Sequence, residues 1–131
     1  MIAVDTSAIV AILRLEPEAE AFVDALAEAD RCLVSAVSSL EAAMVLARSL
    51  DGPAAWGPLD ELLASAGMEV VPFDAAQAVR AREAFLRFGK GRHPAGLNFG
   101  DCAAYAVAAM HSAPLLFKGA DFTKTDLTPV L

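Results

Sequence analysis

Residues 2–13, which read IAVDTSAIVAIL, hold an apolar run, an acidic residue and then a second apolar run with a different period. The run Ile2-Ala3-Val4 predicts a short buried strand, whereas the apolar residues from Ile9 onward recur at helical spacing. The segment therefore predicts a strand, a turn and a helix, with Asp5 at the carboxyl end of the strand.

The rest of the chain repeats this alternation. Predicted strands lie at residues 32–34, 69–72 and 115–117, predicted helices at residues 17–30, 35–49, 54–66, 74–85 and 98–109, and residues 130–131 can pair at a sheet edge. Strands separated by helices favour right-handed crossovers and a mostly parallel sheet that is covered on both faces. We therefore expect one α/β domain over residues 1–131.

The composition indicates a globular protein with its own core. The chain has 131 residues, of which 56% are hydrophobic, and this apolar content is enough to bury a core.

Asp5 and Arg14 argue against a signal peptide, and the longest uncharged stretch, residues 102–117, is too short to span a membrane. Cys32 and Cys102 have neither redox nor zinc spacing and are expected to be buried, reduced thiols. We expect a cytoplasmic protein without a membrane segment.

Charge is distributed unevenly along the chain, whose net charge is −7. Residues 1–74 carry 13 acidic and 3 basic residues, whereas residues 75–131 carry 4 acidic and 7 basic residues. Five of the ten bases lie between residues 80 and 92. Such a run is usually the solvated face of a helix, but this one continues into a glycine-rich loop. Lys90 and Arg92 are therefore candidates for contact with an RNA backbone.

Two aspartates follow predicted strands. Asp5 comes directly after the first strand, and Asp121 follows the strand at residues 115–117. Because ligands of parallel α/β sheets bind beyond the carboxyl ends of the strands, both side chains are expected to face that crevice. Each also has an ordinary alternative, since an aspartate at such a position commonly caps a helix or forms a turn.

Two further acids lie in predicted helices. Glu41 has small and apolar neighbours in the sequence, and an acid on a buried stretch needs a partner or a metal. Asp101 follows Asn98 by three residues and can complete a helix cap, which is compatible with a second role. No lysine or arginine lies within four residues of either acid, so local salt bridges do not account for them.

A divalent cation is the simplest common partner for the four acids. Carboxylates brought together repel one another, and a cation compensates that repulsion. Magnesium and manganese prefer oxygen ligands, and an ion bound in this way can activate water for the hydrolysis of a phosphodiester.

No competing catalytic arrangement stands out in the sequence. His93 lies in the glycine-rich loop and His111 near a helix end, where solvated histidines are common. Gly89 and Gly91 lack the third glycine of a dinucleotide fingerprint, and no Walker sequence occurs. We expect no nucleotide cofactor.

Taken together, these motifs resemble those of the PIN-domain ribonucleases, specifically the VapC toxins of bacterial toxin–antitoxin pairs. The matching segments are Val4-Asp5-Thr6-Ser7-Ala8, Glu41, Leu97-Asn98-Phe99-Gly100-Asp101-Cys102 and Leu116-Phe117-Lys118-Gly119-Ala120-Asp121-Phe122, with Thr125 and Asp126 in the family's spacing. The resemblance covers essentially the whole chain as a single PIN domain. It implies a three-layer α/β/α sandwich with a mostly parallel central sheet.

The same resemblance implies an activity, a metal and partners. The implied function is that of a toxin that cleaves RNA, such as tRNA or rRNA, with a metal-activated water. The implied ligands of Mg²⁺ or Mn²⁺ are Asp5, Glu41, Asp101 and Asp121, with Asp5 and Asp101 central. The implied supporting residues, which would orient water, ligands or phosphate, are Ser7, Asn98, Thr125 and Asp126. A VapB-type antitoxin and a homodimer are implied as well. Ala120 departs from the family, in which a polar or acidic residue is common.

Two other functions are compatible with parts of the sequence. One is a catalytically weak module that binds RNA or an antitoxin through the acidic pocket. The other is phosphoryl transfer through an aspartyl nucleophile at Asp5, against which the absence of an aspartate at position 7 counts.

Overall fold

A four-stranded parallel sheet forms the centre of the protein in a computed structural model that describes residues 1–49 and 52–131. The strands are β1 (Ile2–Val4), β2 (Cys32–Ser35), β3 (Met68–Val71) and β4 (Leu115–Leu116), in the order β3-β2-β1-β4. Every pair of neighbouring strands is parallel. The predicted strands are confirmed, with shifts of no more than one residue at their ends.

Helices fill the connections between the strands. In the described residues they are α1 (Thr6–Leu13), α2 (Ala19–Glu28), α3 (Ala36–Ser49), α4 (Trp56–Ser65), α5 (Ala75–Phe88) and α6 (Phe99–Met110). Short 3-10 turns occupy Gly52–Ala55 and Asp121–Lys124. Helix α5 continues three residues beyond its predicted end because the ring of Phe88 is buried, 5.8 Å from the ring of Tyr105.

The sheet is buried on both faces. Because side chains alternate along a strand, Val4 and Val34 pack with helices α1 to α4, whereas Ala3 and Leu33 pack with α5 and α6. The structure thus confirms the three-layer α/β/α sandwich. No helix in the described part of the chain is long and apolar enough to cross a membrane.

The order of the strands places the candidate site. The chain runs outward from β1 to β2 and β3 and then returns to add β4 on the other side of β1. The carboxyl ends of β1 and β4 therefore form the point at which the strand order reverses, where sheets of this kind bind ligands. Here the backbone N–H of Asp5 donates to the carbonyl of Leu116 over 2.9 Å. Beyond β4, Leu115 bridges Pro129 and the N–H of Val130 donates to the Leu115 carbonyl, so pairing at this sheet edge occurs, centred one residue before the predicted residues 130–131.

Candidate active site

Asp5 lies at the junction between β1 and α1 and is only 4% exposed. Its Oδ2 accepts hydrogen bonds from the N–H of Ser7 (3.0 Å) and from the Ser7 hydroxyl (2.6 Å). Its Oδ1 is buried and has no hydrogen-bond partner among the described residues. Capping α1 therefore accounts for one oxygen of this carboxylate and leaves the other without a partner, which is costly for a buried polar atom.

Glu41 approaches Asp5 from α3. Its Oε1 accepts a hydrogen bond of 2.6 Å from the hydroxyl of Thr6, and its charge contributes to the raised pKa of Asp5. The carboxylate also lies against the backbone of α6. A Cβ on residue 100 would lie 2.7 Å from Cδ of Glu41 and closer still to its oxygens, so only glycine fits at this position without displacement.

Asp101 caps α6 together with Asn98. The Asn98 side chain accepts from the N–H of Asp101 (2.9 Å), and Oδ2 of Asp101 accepts from the N–H of Asn98 (3.1 Å). The predicted helix cap is therefore present.

The cap does not account for the whole electrostatic environment of Asp101. The pKa of Asp101 is raised from 3.8 to about 6, chiefly by burial, with the negative charges of Asp5, Asp121 and Glu41 adding to the rise and the hydrogen bond from the Asn98 N–H opposing it. Since Coulomb interactions weaken with distance, this coupling places all four acids in one neighbourhood.

Asp121 is the exposed member of this group. It begins the 3-10 turn that follows β4 and lies at the surface. Asp5, in contrast, has a raised pKa chiefly because it is buried, with Glu41 adding a smaller contribution. The four acids thus range from a buried carboxylate to a solvent-facing one, around the end of the sheet.

The donor set fits a hard divalent cation. All four groups are carboxylates, which magnesium and manganese prefer, and the partnerless Oδ1 of Asp5 supplies a buried oxygen. In residues 1–49 and 52–131, no three or more His, Cys, Asp or Glu side chains lie in an arrangement that could hold a metal ion as they stand. The chemistry of the donors supports a cation, and the coordination itself stays a prediction.

Comparison with known proteins decides the family. The model of the PIN-domain family matches residues 2–127. The chain belongs to the PIN-domain family. It is also 50% identical over 129 residues to Ribonuclease VapC28 of Mycobacterium tuberculosis, covering 98% of this chain and 96% of that protein. The predicted membership of the VapC ribonucleases is thereby confirmed.

Solved structures agree with this PIN fold. The crystal structure of VapC20 from Mycobacterium tuberculosis, described as a sarcin–ricin loop cleaving toxin, has a TM-score of 0.79 at 18% identity and covers 98% of this chain and 97% of its own. VapBC2 from Rickettsia felis, bound to a DNA fragment from its promoter, has a TM-score of 0.76 at 18% identity, with 98% and 96% covered. At these identities the likeness supports the fold alone.

Two of the four predicted supporting residues contact candidate acids. Ser7 holds Asp5, and Asn98 holds Asp101. Thr125 and Asp126 form their observed hydrogen bonds with residues other than these acids. The Thr125 hydroxyl donates to the carbonyl of Phe122 (2.7 Å) within its own turn. The predicted role of Thr125 at the site stays a prediction.

Asp126 belongs to a separate polar cluster. It accepts a hydrogen bond of 2.6 Å from the buried Tyr105 hydroxyl and pairs with Arg87 at 3.3 Å. These contacts connect the end of the chain to α5 and α6. A role for Asp126 in orienting water or phosphate remains a prediction, whereas its packing role is visible.

The candidate RNA-contacting residues, Lys90 and Arg92, are exposed in the loop that follows α5. The loop is closed by a bridge between Gly89 and Leu97, and the N–H of Lys90 donates to the Leu97 carbonyl. Neither side chain forms a salt bridge within the described residues. Both positive charges are thus available to a polyanion.

Three residues that the sequence did not single out support the acids. Thr6 binds Glu41, Gly100 makes room for it, and the backbone of Lys118 contacts Ser7. All three lie within the family-like segments, and Gly100 stands directly before Asp101, but nothing in the sequence indicated the contacts that they make. The contact of Gly100 with Glu41 depends on how α3 packs on α6.

Replacing Gly100 with alanine should displace the Glu41 carboxylate and leave the fold intact. The new methyl group would meet the far end of a flexible side chain, which can move, and alanine favours a helix over glycine. We expect binding of Mn²⁺ to weaken by about tenfold, as found for changes next to metal ligands, without a fall in melting temperature. Isothermal titration calorimetry measures the binding of Mn²⁺, and thermal unfolding measures the melting temperature. Gly57→Ala, which meets open space in α4, is the control.

Proposed function

We propose that this VapC-family protein is a metal-dependent endoribonuclease and the toxin of a toxin–antitoxin pair, with residues 1–131 acting as one PIN domain. Two observations carry the proposal: the charges of Asp5, Glu41 and Asp121 all act on Asp101, and Oδ1 of Asp5 is buried without a hydrogen-bond partner in the described chain. A protein retains such an arrangement at low cost only when a cation compensates it.

We propose that Asp5, Glu41, Asp101 and Asp121 hold Mg²⁺ or Mn²⁺. When bound, the ion supplies an activated water and offsets the negative charge that develops at the scissile phosphate. The residues of the chain orient the ligands. Ser7 fixes one oxygen of Asp5, the Asn98 N–H fixes Oδ2 of Asp101, and Thr6 fixes Glu41. Fixed ligands of this kind need little rearrangement on binding.

We propose that RNA is the substrate and that it contacts only a small region of the protein surface. The net charge of −7 would repel RNA over most of the surface. The cation at the carboxylates would provide positive charge that attracts a phosphate backbone, together with Lys90 and Arg92, which form no salt bridge within the described residues. A structured RNA such as tRNA or rRNA is the proposed class.

We further propose a VapB-type antitoxin, a homodimer and a cytoplasmic location. Exposed apolar side chains support contacts with another protein, since Phe99 is 77% exposed and Leu40 61% exposed on neighbouring elements beside Glu41. Exposed apolar surface next to a functional site commonly marks an interface.

Incubation of antitoxin-free protein with total cellular RNA tests the activity. We expect discrete cuts in the presence of Mn²⁺ or Mg²⁺, loss of those cuts with EDTA, and their return when excess metal is added. Sequencing of the new ends would name the substrate. A folded protein that binds metal and cuts no RNA would instead support the module that binds RNA or antitoxin without cleaving.

A further inference from the structure

Lys118 lies two residues after β4, between the carboxyl end of the sheet and Asp121. Its side chain is held by two acids from the connection between α1 and α2: Nζ lies 2.6 Å from Oε2 of Glu16 and 3.1 Å from Oε2 of Glu18. Its backbone N–H donates over 2.9 Å to the Ser7 hydroxyl. One residue thus joins the β4 loop to two other parts of the chain.

The backbone contact of Lys118 bears directly on Asp5. A serine hydroxyl has one proton, and in Ser7 that proton is donated to Oδ2 of Asp5 over 2.6 Å. The N–H of Lys118 occupies an acceptor position of the same hydroxyl. The hydroxyl is therefore oriented from both sides and holds Oδ2 of Asp5, whereas Oδ1 has no hydrogen-bond partner among the described residues.

The acids that hold Lys118 are themselves fixed by the backbone. Leu15, immediately before Glu16, has a φ of 54° although it is not a glycine, and its side chain is 85% exposed. The N–H of Glu16 donates to the Ala11 carbonyl at the end of α1. An exposed leucine adopts this conformation only where the surrounding contacts impose it, so Glu16 occupies a defined place next to Lys118.

We propose that Lys118, clamped by Glu16 and Glu18, is a positioning residue that holds the β4 loop so that Ser7 orients Asp5 toward the cation. The inference rests on the proposed metal-dependent function. The ion pairs are partly exposed and contribute little to global stability. Their effect is on the geometry of the carboxylates at either end of the loop, Asp5 through Ser7 and Asp121 through the chain.

Because Lys118 is positively charged, a positioning role and a purely electrostatic role predict opposite changes in Mn²⁺ affinity when it is replaced. If Lys118 acted only as a nearby positive charge, Lys118→Met would remove repulsion and tighten binding of Mn²⁺. A positioning role predicts the opposite, a weakening of about tenfold, as measured for residues that orient metal ligands. Lys118→Arg, which can keep both ion pairs, should bind nearly as tightly as the wild type.

Calorimetric titration of the full chain with Mn²⁺, with melting temperatures in parallel, provides the measurement. We expect Mn²⁺ to bind more weakly to Lys118→Met and to the Glu16→Gln/Glu18→Gln double variant. The variant that combines all three substitutions should lose no more affinity than the weaker-binding of these two. Arg31→Met, which breaks an ion pair of 2.6 Å with Glu69 at the amino end of β2, should bind Mn²⁺ normally. In RNA cleavage, kcat of Lys118→Met should fall at limiting Mn²⁺ and recover at high Mn²⁺, with KM for RNA unchanged.

Unchanged or tighter binding of Mn²⁺ by Lys118→Met would overturn the positioning role, and so would additive losses in the combined variant. Failure of the proposed function looks different, because the wild-type protein itself would then either bind no Mn²⁺ or bind it without cutting RNA. Failure of the fold would appear as a lower melting temperature in Lys118→Met than in Arg31→Met.

Discussion

Asp101→Asn should reduce metal-dependent RNA cleavage by at least about 100-fold, since the metal contributes several kcal/mol of charge stabilisation in the transition state. Asparagine has the shape of aspartate but lacks the charge that attracts the cation. The Asn98 N–H can still donate to the amide oxygen of the new residue, so the cap of α6 should survive. We expect the melting temperature of the metal-free protein to be maintained or raised, because one of four repelling charges is removed.

Initial rates of RNA cleavage at saturating Mn²⁺ provide the measurement, and circular dichroism verifies the fold. Asp60→Asn is the matched control, because Asp60 is an exposed aspartate on α4. It should cleave RNA at the wild-type rate. Retention of cleavage by folded Asp101→Asn would remove Asp101 from the catalytic group. Equal losses in both variants would point to a general effect of charge.

Divalent cations should stabilise the protein, and the stabilisation should grow between pH 5 and pH 7. The pKa of Asp101 is raised from 3.8 to about 6 and that of Asp5 is raised by burial, so both groups hold protons more tightly in the folded state. Their contribution to stability is fully present below the unfolded pKa and is lost as pH rises through the folded pKa. The metal-free protein should therefore lose about 1–2 kcal/mol between pH 5 and pH 7, after allowance for partial solvent exposure of Asp101.

Metal binding has the opposite dependence on pH, because the ligands must be deprotonated. At a cation concentration of about 100 times Kd, binding to the folded state adds about 2.7 kcal/mol. In a domain of this size this raises the melting temperature by about 8 °C or more. Thermal unfolding at pH 5, 6 and 7, with EDTA or with Mn²⁺, measures both effects. Asp101→Asn should flatten the response to pH. Melting temperatures that Mn²⁺ leaves unchanged at pH 7 would argue against the cation site.

The fold was largely predictable because the signals that specify it are local. The apolar run of β1 followed by Asp5, and the cap formed by Asn98 and Asp101, can be read from neighbouring residues in the sequence. The alternation of strands and helices then limits the topology to a parallel sheet. The aspartates after β1 and β4 were expected at one end of that sheet for the same reason.

The supporting contacts of the site were not predictable, because they depend on packing between distant segments. Glu41 and Gly100 meet only where α3 and α6 cross, and 111 positions separate Ser7 from Lys118. No local pattern indicates either contact. The pKa of Asp101 likewise depends on burial and on charges contributed by three other parts of the chain.

Asp126 shows how a family motif and a packing role can coincide. The sequence places it beside Thr125 in the spacing of the family. In the structure its carboxylate accepts from Tyr105 and pairs with Arg87. A buried tyrosine hydroxyl needs a partner, and no sequence rule identifies which acid will provide it.

The account depends most on the proposal that Asp5, Glu41, Asp101 and Asp121 hold the divalent ion required for RNA cleavage. Anomalous diffraction at the manganese absorption edge, from crystals of the antitoxin-free protein soaked in Mn²⁺, tests it most directly. We predict an anomalous peak in contact with Oδ1 of Asp5 and with the Asp101 carboxylate, which is lost in Asp101→Asn crystals. A peak at other side chains, or none at these carboxylates in a protein that cleaves RNA with Mn²⁺, would contradict the account.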